Sequence, residues 1–279
     1  MALNLDVIGK KSDTVPFVYN KDLVIIYALG IGAGVEELDF VYEKNLKVFP
    51  TFSVVPFIPM FLSTIVPQIN FNLFTMLHGE HKILVHKPIP VSGTLNTQAF
   101  YDSAYDKGDK GAVVNITFET RDEQGELLFE NKAVLVDRSA GNFGWDRGPK
   151  SLPVVPPEGK EPDFSVEYAI PINQAALYRL SGDKNPLHID PGFAKKGGFD
   201  RPILQGLCSF GYAGRAILHS ICGSDPSRLK SFSARFMNVV FAGDTLITEG
   251  WKAAGDSYIV RTINQHGRII LGSAIAELA

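Results

Sequence analysis

The chain has 279 residues, of which 45% are hydrophobic, 11% aromatic and 20% charged. This composition excludes a disordered or fibrous chain, and at about 150 residues per domain the length fits two domains or one large one. The 27 basic and 30 acidic residues leave a net charge of −3, so nucleic acid is not an expected partner, and any anionic ligand needs a local cluster of cations.

The N-terminal region lacks the signals that target a chain to a membrane. The first 13 residues have no apolar run of the signal-peptide kind. The most apolar stretch, residues 52–66, is interrupted by Pro56 and Pro59 and contains no 18-residue apolar span, so we expect buried core rather than a membrane helix.

Two cysteines, Cys208 and Cys222, in a chain of this length indicate reduced thiols of an intracellular protein.

Three histidines, His78, His81 and His86, lie close together in the segment HGEHKILVH. Zinc proteases place His-Glu-x-x-His on one helix, so that two imidazoles face the metal. Here the spacings are three and five residues, and no set of thiolates or carboxylates completes a site. We therefore expect no metal site.

Residues 139–163 separate two halves of the chain. This segment has four Gly and five Pro in 25 positions and no apolar periodicity, a pattern typical of a connector that crosses the surface. We therefore divide the chain into an N-terminal unit over 1–138, a linker over 139–163 and a C-terminal unit over 164–279.

The two halves are copies of one unit. Tyr27-Ala-Leu aligns with Tyr178-Arg-Leu at an offset of 151 residues, and segment 81–95 aligns with 232–246 at the same offset. Segments 121–135 and 263–277 align at an offset of 142, each with a turn glycine between two strand-like runs. The first half therefore contains about nine extra residues, which we place in the polar loop 101–111.

Each half is predicted to contain a short helix, a longer apolar segment and a run of antiparallel strands. In the second half, the long helix covers residues 205–221, and Gly206, Gly211 and Gly214 let a sheet approach it closely. No strand–helix–strand alternation indicates a parallel sheet. The predicted fold class is α+β, with a curved antiparallel sheet wrapped around a central helix, present twice.

The strongest candidate for a chemical site is SGDKNPLH, residues 181–188, directly after the short helix of the second half. Gly182 suits the end of that helix, and Asn185-Pro186 forces a turn, so Asp183 and His188 can bend back toward one point. A carboxylate and an imidazole that meet on one water form an acid–base pair near neutral pH, which Asn185 can hold by hydrogen bonding. The alternative is a plain turn beside a buried histidine.

The repeat favours the chemical interpretation. At the corresponding place the first half has GIGAGV, residues 30–35, with neither Asp nor His, so the shared scaffold does not require the polar pair. Gly206, at the start of the long helix, is a second element of the site. Its N–H can stabilise negative charge on a carbonyl oxygen with the help of the helix dipole, or the glycine serves close packing.

The segments YRLSGDKNPLH (178–188) and PILQG (202–206), with Ala194 between them, resemble hydratase 2, the (R)-specific 2-enoyl-CoA hydratases of the MaoC-like hot-dog superfamily. The resemblance covers the whole chain and extends to the two-half hydratase 2 units of yeast peroxisomal multifunctional enzymes. It implies a double hot-dog fold in which only the second half keeps the catalytic motif.

The resemblance also implies roles for individual residues. Asp183 and His188 would activate water, Asn185 would support them, and Gly206 would donate to the thioester oxygen. The first half, without a dyad, would admit a long or branched acyl chain beside a helix broken open at its two prolines. Lys107, inside the insertion, would supply a cation for the CoA phosphates together with Lys110. The residues expected to contact the CoA ester are His78, Gly79, Lys107, Lys184, Pro186, Leu187 and Phe236.

The expected function is hydration of trans-2-enoyl-CoA to (3R)-3-hydroxyacyl-CoA in fatty acid β-oxidation, without a metal or redox cofactor. Two alternatives stay open: a hot-dog acyl-CoA thioesterase, and a non-catalytic acyl-CoA-binding module. The resemblance further implies a homodimer, a place within a larger multifunctional polypeptide and a peroxisomal location, although the chain shows no targeting signal.

Overall fold

A computed structural model describes residues 3–72 and 75–279. The described strands form one ten-stranded antiparallel sheet in the order β1-β3-β4-β5-β2-β7-β10-β9-β8-β6. The strands are β1 Val15–Tyr19, β2 Met76–Val85, β3 Gly93–Asp106, β4 Ala112–Arg121, β5 Leu127–Asp137, β6 Phe164–Ala169, β7 Leu229–Phe236, β8 Thr245–Lys252, β9 Ser257–Asn264 and β10 Ile269–Leu278.

Helices lie in both halves of the chain. They are α1 Lys21–Gly30, α2 Leu38–Val41, α3 Val54–Met60, α4 Val66–Ile69, α5 Gln174–Tyr178, α6 Pro191–Lys196 and α7 Gly206–Ile221. A 3-10 turn, Pro50–Ser53, precedes α3, and a π turn, Phe61–Ile65, joins α3 to α4. These segments together form one helix over Pro50–Ile69, which we call the first-half helix.

The sheet has an internal symmetry that matches the repeat. Outward from the central β2–β7 pair, the order is β5, β4, β3, β1 on one side and β10, β9, β8, β6 on the other. The two half-sheets join where Glu80 to Leu84 of β2 pair with Arg235 to Ser231 of β7. Residues 207–218 of α7 are all buried. The predicted α+β fold, a curved sheet around a helix present twice, is confirmed.

The first-half helix differs from the prediction. Pro56 and Pro59 lie within it, yet the helix continues to Ile69 instead of being interrupted or broken open. Because proline has no N–H, Pro59 leaves the carbonyl of Val55 without its usual donor four residues on, and the π turn follows directly. By length and composition the helix could cross a bilayer, but 67% of its most apolar window is buried inside the protein, as in a core helix.

The nine-residue insertion is accommodated mainly in strands. The prediction of a polar loop over 101–111 is correct only for its last part, because β3 continues to Asp106 and only residues 107–111 form the turn to β4. β3 has 14 residues, whereas its counterpart β8 has 8. Alternation of buried and half-buried side chains along β3 explains why a segment rich in polar residues still forms a strand.

Gly211 and Gly214 of α7 admit the other half of the chain rather than a sheet, whereas Gly206 faces Phe236 of β7 as predicted. A Cβ at Gly211 would lie 2.3 Å from a side-chain carbon of Ile31, and a Cβ at Gly214 would lie 2.4 Å from Thr51. Cys208 on the same helix donates a hydrogen bond to the carbonyl oxygen of Gly30 (3.3 Å). The loop after α1, which corresponds to the catalytic motif, is therefore docked on the central helix of the second half.

Residues 139–163 form no helix or strand. The segment runs over the second half-sheet and is held there at intervals: the Val154 N–H donates to Ser273 Oγ (3.2 Å), and Trp251 Nε1 donates to the carbonyl of Lys160 (2.8 Å). It thus connects β5, the neighbour of β2 in the first half-sheet, to β6 at the far edge of the second.

Candidate active site

The motif loop begins at the end of α5. A 3-10 turn, Arg179–Ser181, leads to Gly182, whose φ of +131° favours glycine. The Asn185 N–H donates to Asp183 Oδ1 (3.2 Å), while Asn185 Oδ1 accepts from the Leu187 N–H (3.0 Å). Asn185 therefore orients Asp183 through its backbone, and its side chain caps the 3-10 turn Pro186–His188 instead of contacting the imidazole.

The His188 ring is oriented by a carbonyl group far away in the chain. Its Nδ1 lies 2.9 Å from the carbonyl oxygen of Ile203. Since a carbonyl oxygen only accepts hydrogen bonds, Nδ1 carries the proton, and in the neutral ring Nε2 keeps a lone pair. That Nε2 lies 3.7 Å from Asp183 Oδ2, and the two side chains are 10% and 18% exposed. The arrangement presents two proton acceptors to a single water.

Gly206 is the first residue of α7 and is exposed. Its N–H is one of the donors left unpaired at the start of a helix, and no described residue accepts a hydrogen bond from it. A Cβ at this position would lie 3.3 Å from the ring of Phe236, so a larger residue would crowd the ring. A free donor at the positive end of a 16-residue helix is suited to a developing oxyanion.

The first half contributes the opposite wall of the site. A Cβ at Gly182 would lie 3.7 Å from the carbonyl oxygen of Val55 and 4.0 Å from Cδ of Pro59. The catalytic loop of the second half thus lies against the first-half helix at the carbonyl of Val55, the group that loses its usual helical donor at Pro59. No sequence signal pointed to Val55, and Ile203 lies in the PILQG motif but was given no role there, since both contacts depend on tertiary packing.

The other predicted contact residues are divided between two places. His78 lies on β2 with its ring centroid 5.0 Å from that of Phe236, and Gly79 forms an irregularity in the pairing of β2 with β5. Lys184 and Pro186 are exposed on the motif loop, and Leu187 is half-buried. The structure therefore brings His78 and Phe236 to the Gly206 side of the site.

Lys107 lies several strands away from β7, the strand that carries Phe236. It follows β3, and β4, β5 and β2 separate that strand from β7, which corresponds to roughly 19 Å at the usual strand spacing. Its Nζ donates to the carbonyl of Arg147 and lies 5.2 Å from the ring centroid of Tyr105. The Asp106 carboxylate accepts from the N–H groups of Gly108 and Gly144, so the insertion and the linker form one hydrogen-bonded structure.

A cavity of about 230 Å³ reaches His188 from the surface. Its wall includes Ile189, Arg201, Ile203 and Ala242, all of the second half. His78, Lys107 and Phe236 do not line this cavity. It therefore opens the imidazole to solvent separately from the predicted CoA contacts.

Comparison with known proteins identifies both halves. Residues 17–139 match the MFE-2 hydratase 2 N-terminal domain, and residues 154–271 match the MaoC like domain. A probable enoyl-CoA hydratase 2 of Dictyostelium discoideum is 37% identical over 278 residues, which cover 97% of this chain and 94% of the relative.

Two solved structures are also similar. A MaoC-like dehydratase from Phytophthora capsici superposes with a TM-score of 0.86 at 32% identity, over 99% of both chains. Peroxisomal multifunctional enzyme type 2 from Drosophila melanogaster gives a TM-score of 0.82 at 36% identity; the match covers 96% of this chain and 48% of that protein, about half its length. Sequence identity of this extent, with both halves matched in order, shows that the chain belongs to the hydratase 2 family of MaoC-like double hot-dog proteins.

Proposed function

We propose that this protein adds water to trans-2-enoyl-CoA and forms (3R)-3-hydroxyacyl-CoA, a step of fatty acid β-oxidation. The observation that carries the proposal is the Asp183–His188 pair, in which Nδ1 lies 2.9 Å from a carbonyl oxygen and Nε2, the lone-pair nitrogen of the neutral ring, lies 3.7 Å from the carboxylate. The relatives named enoyl-CoA hydratase 2 support the reaction class.

In the proposed reaction, water lies between Asp183 Oδ2 and His188 Nε2. Nε2 takes one proton as the water oxygen bonds to Cβ of the enoyl group, and the electrons of the double bond move toward the thioester oxygen. The Gly206 N–H stabilises that oxygen. The dyad then returns a proton to Cα, so that the product gains one H and one OH, and both arrive on the same face of the double bond.

The thioester side of the substrate is proposed to pass His78, Gly79 and Phe236, with Lys184, Pro186 and Leu187 along the motif loop. The extended arm of CoA would then run along the sheet end toward Lys107, where a cation meets the phosphates. The acyl chain would extend along the first-half helix near Val55 and Pro59, which already contact the catalytic loop.

Further features belong to the proposal. The reaction needs no cofactor besides the CoA thioester. We propose functional units over 1–138 and 164–279 joined by 139–163, assembly as a homodimer, a place in a larger multifunctional polypeptide and a peroxisomal location. The last two of these proposals are supported by relatives whose names describe peroxisomal multifunctional enzymes, and which are similar to this chain over 94–97% of its length.

Two measurements test the function against its alternatives. Incubation with crotonyl-CoA or decenoyl-CoA is expected to remove the enoyl absorbance without release of free thiol, and chiral analysis of the product is expected to give the (3R) alcohol. Release of thiol would indicate a thioesterase. Saturable binding of acyl-CoA with no change in absorbance would indicate a binding module.

A further inference from the structure

A chain of buried hydrogen bonds runs from the start of the first-half helix to His78. The carbonyl oxygen of Ser53 accepts from Asn131 Nδ2 (3.0 Å), Asn131 Oδ1 lies 3.0 Å from His81 Nε2, and His81 Nδ1 lies 3.2 Å from His78 Nε2. Ser53, His81 and Asn131 are no more than 1% exposed. In the sequence, only His81 drew attention, as one of three clustered histidines, and none of the three residues was expected to act at this site.

The carbonyl of Ser53 determines the direction of every hydrogen bond in this series. The Ser53 carbonyl only accepts, so Asn131 must turn its NH₂ toward Ser53 and its oxygen toward His81. His81 then carries its proton on Nε2 and accepts at Nδ1, and His78 donates from Nε2. Burial lowers the pKa of His81 to about 4, and burial next to His81 lowers the pKa of His78 well below 6.5, so both rings are neutral near pH 7.

The hydrogen bonds end at His78, and ring packing continues from His78 to the residue beside Gly206. The His78 ring packs against Phe236 with a centroid distance of 5.0 Å, and Phe236 lies 3.3 Å from the position that a Cβ of Gly206 would occupy. His81 is also wedged between the two central helices, with ring centroids 5.3 Å from Phe57 and 5.4 Å from Phe210. A shift of His81 would therefore be transmitted to the face of Gly206.

We propose that His81 and Asn131 are positioning residues for the carbonyl-binding face of the site. They hold His78 against Phe236, and Phe236 sets the slot beside the Gly206 N–H in which the thioester carbonyl is received. This inference rests on the proposed hydratase function, and it assigns the non-catalytic first half a part in the chemistry in addition to substrate binding.

The test compares His81→Leu, which keeps the volume and removes both hydrogen bonds, with His81→Gln, whose amide keeps one donor and one acceptor. Asn131→Ser is a second, milder interruption. Thr120→Val is the matched control, because it removes an equally buried hydrogen bond, between Thr97 and Thr120 (2.9 Å), in the same half-sheet. The readouts are kcat and KM for crotonyl-CoA, the melting temperature, and the red shift of bound 4-(dimethylamino)cinnamoyl-CoA, whose absorption reports polarisation of the thioester carbonyl.

His81→Leu and Asn131→Ser are expected to lower kcat by roughly tenfold, a part of the 10²–10³ that loss of an oxyanion donor costs, and to reduce the red shift. His81→Gln is expected to restore both, and Thr120→Val to change only the melting temperature. Because the effect passes through Phe236, Phe236→Leu combined with His81→Leu is expected to cost no more than the larger single change.

Folded His81→Leu or Asn131→Ser protein with wild-type kcat and red shift would overturn the inference, and so would additive effects of the double substitution. If His81→Leu does not fold, Asn131→Ser decides. If the wild type binds the cinnamoyl thioester but hydrates no enoyl-CoA, the proposed function fails, whereas the absorption shift still tests the positioning.

Discussion

The carboxylate of Glu37, in the first half, forms an ion pair with the guanidinium of Arg215 on α7 of the second half. The pair is almost buried, with 11% and 7% of the side chains exposed. His219 Nε2 lies 2.6 Å from the other carboxylate oxygen, and the guanidinium stacks 4.1 Å from the ring centroid of Tyr168. His219 and Arg215 hold the pKa of Glu37 at about 2 despite its burial. The cluster therefore fastens the two halves together.

Glu37→Gln is expected to lower the free energy of unfolding by about 3–5 kcal/mol, because it leaves the Arg215 charge buried without a counter-ion. The contribution of Glu37 is present above pH 4.5 and is lost as the pH falls toward 2. Denaturant unfolding at pH 7 measures the change, and Glu36→Gln, at an exposed neighbour, is the control. Equal stability of the two variants would contradict this role.

Asp183→Asn and His188→Gln are each expected to reduce hydration by 10²-fold or more, in line with the contribution of general acid–base catalysis, about 10²–10⁴. Either change removes a basic group from the water site; Asn keeps the shape of the Asp side chain, and Gln keeps a polar end in place of the imidazole. Initial rates with crotonyl-CoA measure the effect, and circular dichroism checks the fold. Rates near wild type in both folded variants would rule out the dyad.

Asn185→Ala is expected to impair catalysis through the loop, since the substitution removes the hydrogen bond to the Leu187 N–H that shapes the turn carrying His188. A cap of this kind contributes about 1 kcal/mol, and we expect kcat to fall while KM changes little. Asp190→Ala is the matched control, because Asp190 caps α6 through the Phe193 N–H (2.9 Å) two residues beyond the motif. If the two variants lose activity equally, Asn185 has no special part in the site.

Lys107→Ala together with Lys110→Ala is expected to raise KM for acyl-CoA and to weaken its dependence on salt, because two cations facing the phosphates are lost. KM for an acyl N-acetylcysteamine thioester, which lacks the phosphates, is expected to stay unchanged. Lys44→Ala serves as the control at an exposed site. A parallel rise of KM for both thioesters would show that the loop supports the fold rather than CoA.

The stability of the protein is expected to fall as the pH is lowered from 6.5 toward 4. The pKa of His81 is lowered to about 4, so in this range the unfolded chain binds a proton that the folded protein excludes, which costs on the order of 3 kcal/mol. His78, whose pKa is lowered further, adds to the same loss. In His81→Gln the free energy of unfolding is expected to depend less on pH between 6.5 and 4; an unchanged slope would assign the effect to other groups.

The architecture was predictable because local sequence patterns determine the strands, the turns and the duplication. The repeat of turn glycines and apolar runs identified two copies of one unit, and the ten-stranded order reflects it. The sequence predicts a loop over 101–111, but β3 continues to Asp106. A strand with one polar face and one buried face resembles a loop when its polar residues are counted together. The sequence predicts a helix broken at its prolines because proline is disfavoured inside helices. The helix over Pro50–Ile69 is nevertheless continuous, and most of it is buried in the core.

By itself the sequence determined the duplicated fold, the family and the motif loop in which Asp183 and His188 turn toward each other, since turns and caps are decided by neighbouring residues. Only the tertiary structure decided which nitrogen of His188 is free, because its partner Ile203 lies 15 residues away. The same holds for Val55 beneath Gly182 and for the His81–Asn131 chain behind Phe236. These contacts depend on how two packed helices and the β2–β7 pairing set the halves against each other, and such long-range geometry has no signature in the order of residues along the chain.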